Sequence, residues 1–191
     1  DDEARPDFNL EQAFALYRLL MVPITSLVMR DADVAAINAQ AARLAPDAKD
    51  EMSGFLREIG LRHREWSLAH EERERQRASW ADFFQRFDVL LCPVAPVPAV
   101  RHDHREPMLL RTVEINGGAR PYTDLLVWPG VIGVAHLPAS VAPVGRTRDG
   151  LPVGIQIVAP YLEDRTALAF AAGLEALLGG FEAPAGLSKL G

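Results

Sequence analysis

Cysteine, lysine and long apolar runs are all scarce in this chain of 191 residues. The one cysteine, Cys92, cannot close a disulfide within the chain, which fits a reducing compartment and makes the cytoplasm the expected location. Of 20 basic residues only Lys49 and Lys189 are lysines. Arginine does not readily lose its proton, so an amine base could come only from those two side chains or the chain start. No apolar run approaches the length of a membrane span, and the first residues lack the apolar core of a signal peptide. A formal net charge of −6 and a pI near 5.4 argue against a general binder of nucleic acid or of acidic membranes. A starting methionine is missing too: the chain opens Asp1-Asp2-Glu3 and reaches its first methionine at Met21, so it reads as a piece of something longer.

Nucleophile motifs are equally thin. The six serines are Ser26, Ser53, Ser67, Ser79, Ser140 and Ser188; none stands in Gly-x-Ser-x-Gly and none neighbours another. No glycine loop of the P-loop or dinucleotide type is present. Cys92 sits in the strand-like run Asp88-Val89-Leu90-Leu91-Cys92-Pro93, where apolar surroundings raise a thiol pKa and favour a buried structural role.

What is there divides into two grammars. Residues 1–87 read as helices. Between Leu10 and Met29 the apolar positions Phe14, Leu16, Tyr17, Leu20, Met21, Ile24 and Leu27 keep helical spacing, interrupted by Pro23. Asp31 is placed to cap a short helix carrying Val34, Ile37 and Ala41. Pro46-Asp47 restarts the pattern with Met52, Phe55, Leu56 and Ile59 on one face, and Gly60 breaks it. The stretch Leu61 to Phe87 is the longest predicted helix. Its charges cancel along Glu71–Arg77, with Glu71–Arg75 and Glu74–Arg77 as expected pairs on a solvated face. Trp80, Phe83, Phe84 and Phe87 should dock on a core.

Residues 88–191 are strand-rich with a closing helix. Ten of the 14 prolines fall between Pro93 and Pro160, which works against long helices there. Arg111–Ile115 and Ala119–Tyr122 flank Asn116-Gly117-Gly118 and predict a hairpin. Ala139–Val144 is a further strand. Asp149-Gly150 turns into Val153–Val158, the best buried strand, and Glu163-Asp164 opens a last helix that Gly179-Gly180 ends. Pro143 and Pro152 should stop strand extension, while Gly145 and Gly154 permit close backbone approach. Gln156 must find partners inside its apolar strand, and a neighbouring loop is expected to supply them. The fold class is α/β: a partial mixed sheet flanked by helices.

Two clusters could carry chemistry. His102-Asp103-His104 with Glu106 could reach a metal from extended backbone, but Arg101 and Arg105 beside it disfavour a dication, so a polar surface loop is expected. Trp128 and His136, near glycine-permissive backbone, and Tyr122 at the end of the hairpin are the residues expected to line a substrate pocket. The competing reading puts Trp128 in the core and makes His136 a satisfied helix-end histidine.

Phe87–Leu168 resembles the C-terminal part of the amidase signature family. The pieces are Phe87-Asp88-Val89-Leu90-Leu91-Cys92-Pro93, Leu137-Pro138-Ala139-Ser140-Val141-Ala142-Pro143-Val144-Gly145, and Asp149-Gly150-Leu151-Pro152-Val153-Gly154-Ile155-Gln156-Ile157-Val158 followed by Glu163-Asp164. Many members carry an asparagine and a glycine ahead of the Pro-Ala-Ser segment; Gly133 and His136 stand at those positions here. The resemblance implies amide C–N hydrolysis by a serine nucleophile, a second serine in a cis peptide and a lysine base, with no metal or organic cofactor. Those groups belong to an earlier part of the family's chain, so none transfers to a residue here. The chain is therefore expected to be a pocket-shaping, C-terminal portion that is inactive alone. Its exposed sheet edge should be covered by the missing N-terminal part or by a second copy. A stand-alone binding or assembly module, and more remotely a metal-dependent hydrolase using His102, His104 and Glu106, are the alternatives.

Overall fold

A computed structural model describes residues 3–183 and gives three layers, with helices on both faces of a small sheet. The helical part holds α1 (Leu10–Thr25), α2 (Asp31–Ala41), α3 (Glu51–Ile59) and α4 (His63–Phe84). The strands are β1 (Leu90–Pro93), β2 (Thr112–Ile115), β3 (Gly118–Pro121), β4 (Ala139–Arg146) and β5 (Pro152–Val158). α5 (Val127–Val134) precedes β4, and α6 (Asp164–Leu178) closes the described chain.

The helix starts show where local chemistry decided the boundary. Asn9 caps α1, its side chain accepting from the backbone N–H of Glu11 and Gln12 at 2.9 and 3.0 Å. Pro23 is accommodated inside α1, in its last turn. Asp31 is the first helical residue of α2, not its cap; Arg30 holds that position and pairs with Asp33 at 2.8 Å. Pro46-Asp47 precedes the third helix without starting it. Asp50 caps α3, accepting from the Ser53 backbone and hydroxyl, and those two hydrogen bonds pull its carboxyl below the ordinary range. On the solvated face of α4 the Glu74–Arg77 pair forms at 2.9 Å, whereas Arg75 takes Glu72 instead of Glu71.

β5 is the central strand, paired antiparallel to β1 on one side and β4 on the other. Parallel pairing, part of the expected mixed sheet, does not occur among the described strands. Alternation along β5 sends Val158 and Gln156 to one face and Ile157 and Ile155 to the other. The first face meets Ala13, Trp80, Phe83, Val131 and Ile132 from α1, α4 and α5. The second meets Ala167, Ala171 and Leu174 of α6. Burial on both faces explains why β5 is apolar at every position from Val153 to Val158 except Gln156.

Pro152 opens β5 as anticipated, but Pro143 lies within β4, which continues past it to Arg146. An edge strand tolerates a proline whose missing N–H faces away from the ladder, and the register shifts between Pro143 and Gly145. A Cβ on Gly154 would stand 2.9 Å from Val141 Cγ1, so this glycine does serve close approach. β2 and β3 make a separate hairpin whose turn residues Asn116 and Gly117 have φ of 51° and 77°, as a two-residue turn of mirror type requires.

Candidate functional site

Among the described strands β1 has a partner on one side only, and an open cavity of about 590 Å³ lies along it. Its walls come from four parts of the chain. β1 supplies Leu90 and Cys92, α4 supplies Trp80, α5 supplies Trp128, Val131 and Ile132, and the N-terminal segment supplies Phe8 and Asn9. Each wall has a local reason. Trp80 is held 2% exposed by aromatic neighbours, with ring centroids 5.2 Å to Phe8, 5.7 Å to Phe84 and 6.1 Å to Phe83. α5 approaches α1 closely because Gly130 carries no side chain; a Cβ there would stand 2.8 Å from the Tyr17 ring. That close approach turns Val131 and Ile132 into the core and leaves Trp128 half-buried at the cavity.

The cavity is largely apolar, with few polar groups in it. Burial pushes the Cys92 thiol up, only partly offset by the Gln156 side chain, which donates from Nε2 to Sγ at 3.3 Å. Gln156 thus finds its partner on the neighbouring strand and not on a loop. A thiol so placed is a packed side chain, not an activated nucleophile. The Trp80 indole N–H is buried and finds no hydrogen-bond partner among the described residues.

The three expected pocket residues are not brought together. Trp128 lines the cavity, although it also packs on the core cluster. His136 lies past the far end of α5, exposed, with φ of 59° and Nε2 3.3 Å from Arg73 Nη1. Tyr122 faces a separate surface depression with Arg101, His102, Asp103 and Glu114. Trp80, Phe8 and the Arg73–His136 contact were not singled out by sequence as site features, because each depends on residues far apart in the chain.

The histidine-rich loop is arranged around arginines. The His102 and His104 rings stand edge to face at 5.8 Å. Asp103 is gripped by Arg105 at 2.6 Å, which holds its carboxyl far below the usual carboxylate range, and Glu106 is taken by Arg111 at 2.8 Å. Among the described residues no three His, Cys, Asp or Glu side chains gather as metal ligands. Three serines have their hydroxyls engaged: Ser53 donates to Asp50, Ser67 to the His63 carbonyl and Ser26 to the Pro23 carbonyl. Ser188 and Lys189 lie outside the described residues. No helix among the described residues is long and apolar enough to cross a membrane.

The α/β layered scaffold carries an aromatic-walled cavity at one sheet edge. Comparison with known proteins gives the family. The amidase family profile matches residues 10–168, and the chain belongs to the amidase signature family. Fatty-acid amide hydrolase 2-A of Danio rerio is 35% identical over 96 residues, covering 50% of this chain and 15% of that protein. One component of the glutamyl-tRNA(Gln) amidotransferase of Deinococcus deserti is 26% identical over 193 residues, covering 88% of this chain and 37% of its own length. Among solved structures, an amidase superposes with a TM-score of 0.65 at 25% identity over 89% of this chain and 36% of its own. A bacterial aryl acylamidase shares the fold, with a TM-score of 0.63 at 19% identity over 90% of this chain and 34% of its own. The chain thus spans well under half the length of the relatives it matches.

Proposed function

We propose that this chain forms the C-terminal, pocket-shaping part of an amidase that hydrolyses a C–N amide bond, and that it is inactive alone. The observation carrying this reading is the aromatic cavity at the one-sided strand β1. It offers Trp128 and Phe8, backed by the buried Trp80 ring, for an apolar substrate group, while the only thiol in it is buried and bonded to Gln156. Acyl transfer needs an activated nucleophile and oxyanion donors. In this reading a serine, a cis serine and a lysine from the rest of the amidase fold complete the site opposite this wall. Trp128 is then the expected pocket residue that contacts substrate, with His136 and Tyr122 acting farther out. Neither a metal nor an organic cofactor is needed.

The same reading assigns an occupant to the free side of β1. Leu91 is 42% exposed there, and Val141 on β4 is 57% exposed. The N-terminal part of the amidase is the proposed cover, with a second copy of this chain as the other source. Retention of Cys92 as a thiol suits a reducing compartment, and the cytoplasm is the location proposed.

The test is a comparison of amine release from simple aliphatic and aromatic amides. The chain alone should give no acylation burst, and adding the remaining amidase portion in trans should restore turnover. A stoichiometric burst from the chain alone would overturn the reading. A light-scattering mass of one protomer at micromolar concentration removes the second-copy arm and leaves the N-terminal part as the cover.

A further inference from the structure

His136 is the joint between α5 and β4, and its backbone is left-handed. The φ of 59° is a conformation that a side chain with a Cβ adopts at a cost and that glycine adopts freely. Something must hold it. Two backbone bonds close the turn, from His136 N to the Gly133 carbonyl at 3.0 Å and from Leu137 N to the Ile132 carbonyl at 3.3 Å. The third tie is from a different element. Arg73 of α4 places Nη1 3.3 Å from His136 Nε2. A guanidinium can only donate, so Nε2 must be the unprotonated nitrogen of a neutral imidazole. Protonation turns that acceptor into a donor and sets an imidazolium against a cation.

The surroundings sharpen the conflict. Tyr161 and Glu163 border the depression beside Ala135 and Leu137, and the charged and titratable groups that act on the ring from α4 are Arg73, Arg77, Glu74 and His70. Glu74 is the one anion among these α4 groups, and it is shared, 2.9 Å from Arg77 and 3.5 Å from Arg73. The turn matters beyond itself because Ile132, whose carbonyl closes it, is 3% exposed and lines the cavity beside β1.

We propose that Arg73 and His136 form a proton-sensitive latch that fixes the α5–β4 turn, and with it the α5 wall of the cavity. Neutral His136 locks the turn to α4, and its protonation releases it. Arg73 and His136 are positioning residues and touch no reacting atom. Partial burial, then the charges of Arg73 and Arg77, depress the protonation of His136 below the ordinary histidine value of 6.5. A depressed histidine stabilises the fold above the unfolded value and loses that contribution as pH falls through the folded one. Release therefore belongs to mildly acidic solution, below pH 6.5.

The experiment is a titration from pH 7.5 to 5 (values chosen to bracket an ordinary histidine, about 6.5), followed by NMR on the folded chain. The readouts are the His136 ring carbons, the methyls of Ile132 at the turn, and the methyls of Ile157 on the opposite face of the sheet. In the native chain the Ile132 methyl signals should move with the His136 midpoint while Ile157 stays still. His136→Asn tolerates the left-handed backbone and keeps an acceptor but does not titrate, so Ile132 should then stay flat. Arg73→Gln should raise the His136 midpoint toward the ordinary value. The proposal is overturned if Ile132 does not follow His136, if it moves equally in His136→Asn, or if Arg73→Gln leaves the midpoint unchanged. A joint shift of Ile132 and Ile157 would signal general acid unfolding and equally overturn it.

Discussion

Gln156 on β5 donates its side-chain amide to the Cys92 thiol on β1 across 3.3 Å, and both side chains are 5% exposed. The pair is directly opposite in the strand register, on the face that packs against Trp80 and Val131. A polar group in such a place costs about 1–3 kcal/mol if its partner is removed. Cys92→Ala should therefore cost about 1–3 kcal/mol in a denaturant titration, chiefly through the stranded amide. Native Cys92 should also react with a disulfide reagent far more slowly than the unfolded chain. Labelling at the unfolded rate would mean that the β1–β5 face is open.

Arg18 ties together segments that the sequence leaves unrelated. Its guanidinium meets Glu51 at 2.5 Å and Glu58 at 3.0 Å on α3, and the Thr123 hydroxyl donates to the same Glu51 oxygen at 2.6 Å. Side-chain exposures of 15–18% place the three charges between surface and core. Removing one partner of a fully buried pair costs about 3–5 kcal/mol, and partial exposure puts Arg18→Ala at the lower end, about 3 kcal/mol. Arg18→Lys should recover only part, because an ammonium cannot span two carboxylates in fork geometry. Equal stability of Arg18→Ala and the native chain in urea would show that the network contributes nothing.

The strands and the last helix were legible because each carries its own local signal. Val153–Val158 is apolar except for Gln156 and follows Asp149-Gly150, and Asn116-Gly117 has the signature of a tight turn. Boundaries slipped where two residues compete for one role. Asp31 and Asp47 both look like helix starters, yet Arg30 and Asp50 hold the cap positions, since backbone entry angle decides the cap as much as side-chain type. Glu71 and Glu72 are both within reach of Arg75, and spacing alone does not choose between three and four residues. The candidate site was half-legible. Trp128 could be picked from its glycine-rich context, but nothing local says that Trp80 and Phe8 would meet it, or that His136 turns away to Arg73. Such juxtapositions are made by packing of α1, α4 and α5.

Two glycines of α5 should respond in opposite directions to the same substitution. A Cβ on Gly130 would stand 2.8 Å from the Tyr17 ring, whereas at Gly133 nothing lies within 4 Å. Overpacking costs about 1–3 kcal/mol, so Gly130→Ala should destabilise by that amount and loosen α5 from α1. Gly133 lies in helical backbone, where alanine is favoured by up to about 1 kcal/mol. Gly133→Ala should therefore raise the thermal midpoint. If both variants fall together, the close approach of α5 to α1 is not set by Gly130.

Trp80 offers a sharper separation of packing from polar cost. Its ring is 2% exposed between Phe8, Phe83 and Phe84, yet the indole N–H has no acceptor among the described residues. Truncating a buried aromatic to alanine costs about 3–5 kcal/mol, and Trp80→Ala should fall in that range. Trp80→Phe loses ring volume but also removes the unpaired donor, whose burial itself costs about 1–3 kcal/mol. The two effects oppose one another, so Trp80→Phe should stay within about 1 kcal/mol of the native chain, since that loss of volume is offset. Urea midpoints of the two variants decide it. A loss for phenylalanine as large as for alanine would mean that the indole nitrogen has a partner after all, such as a water held in the cavity beside β1.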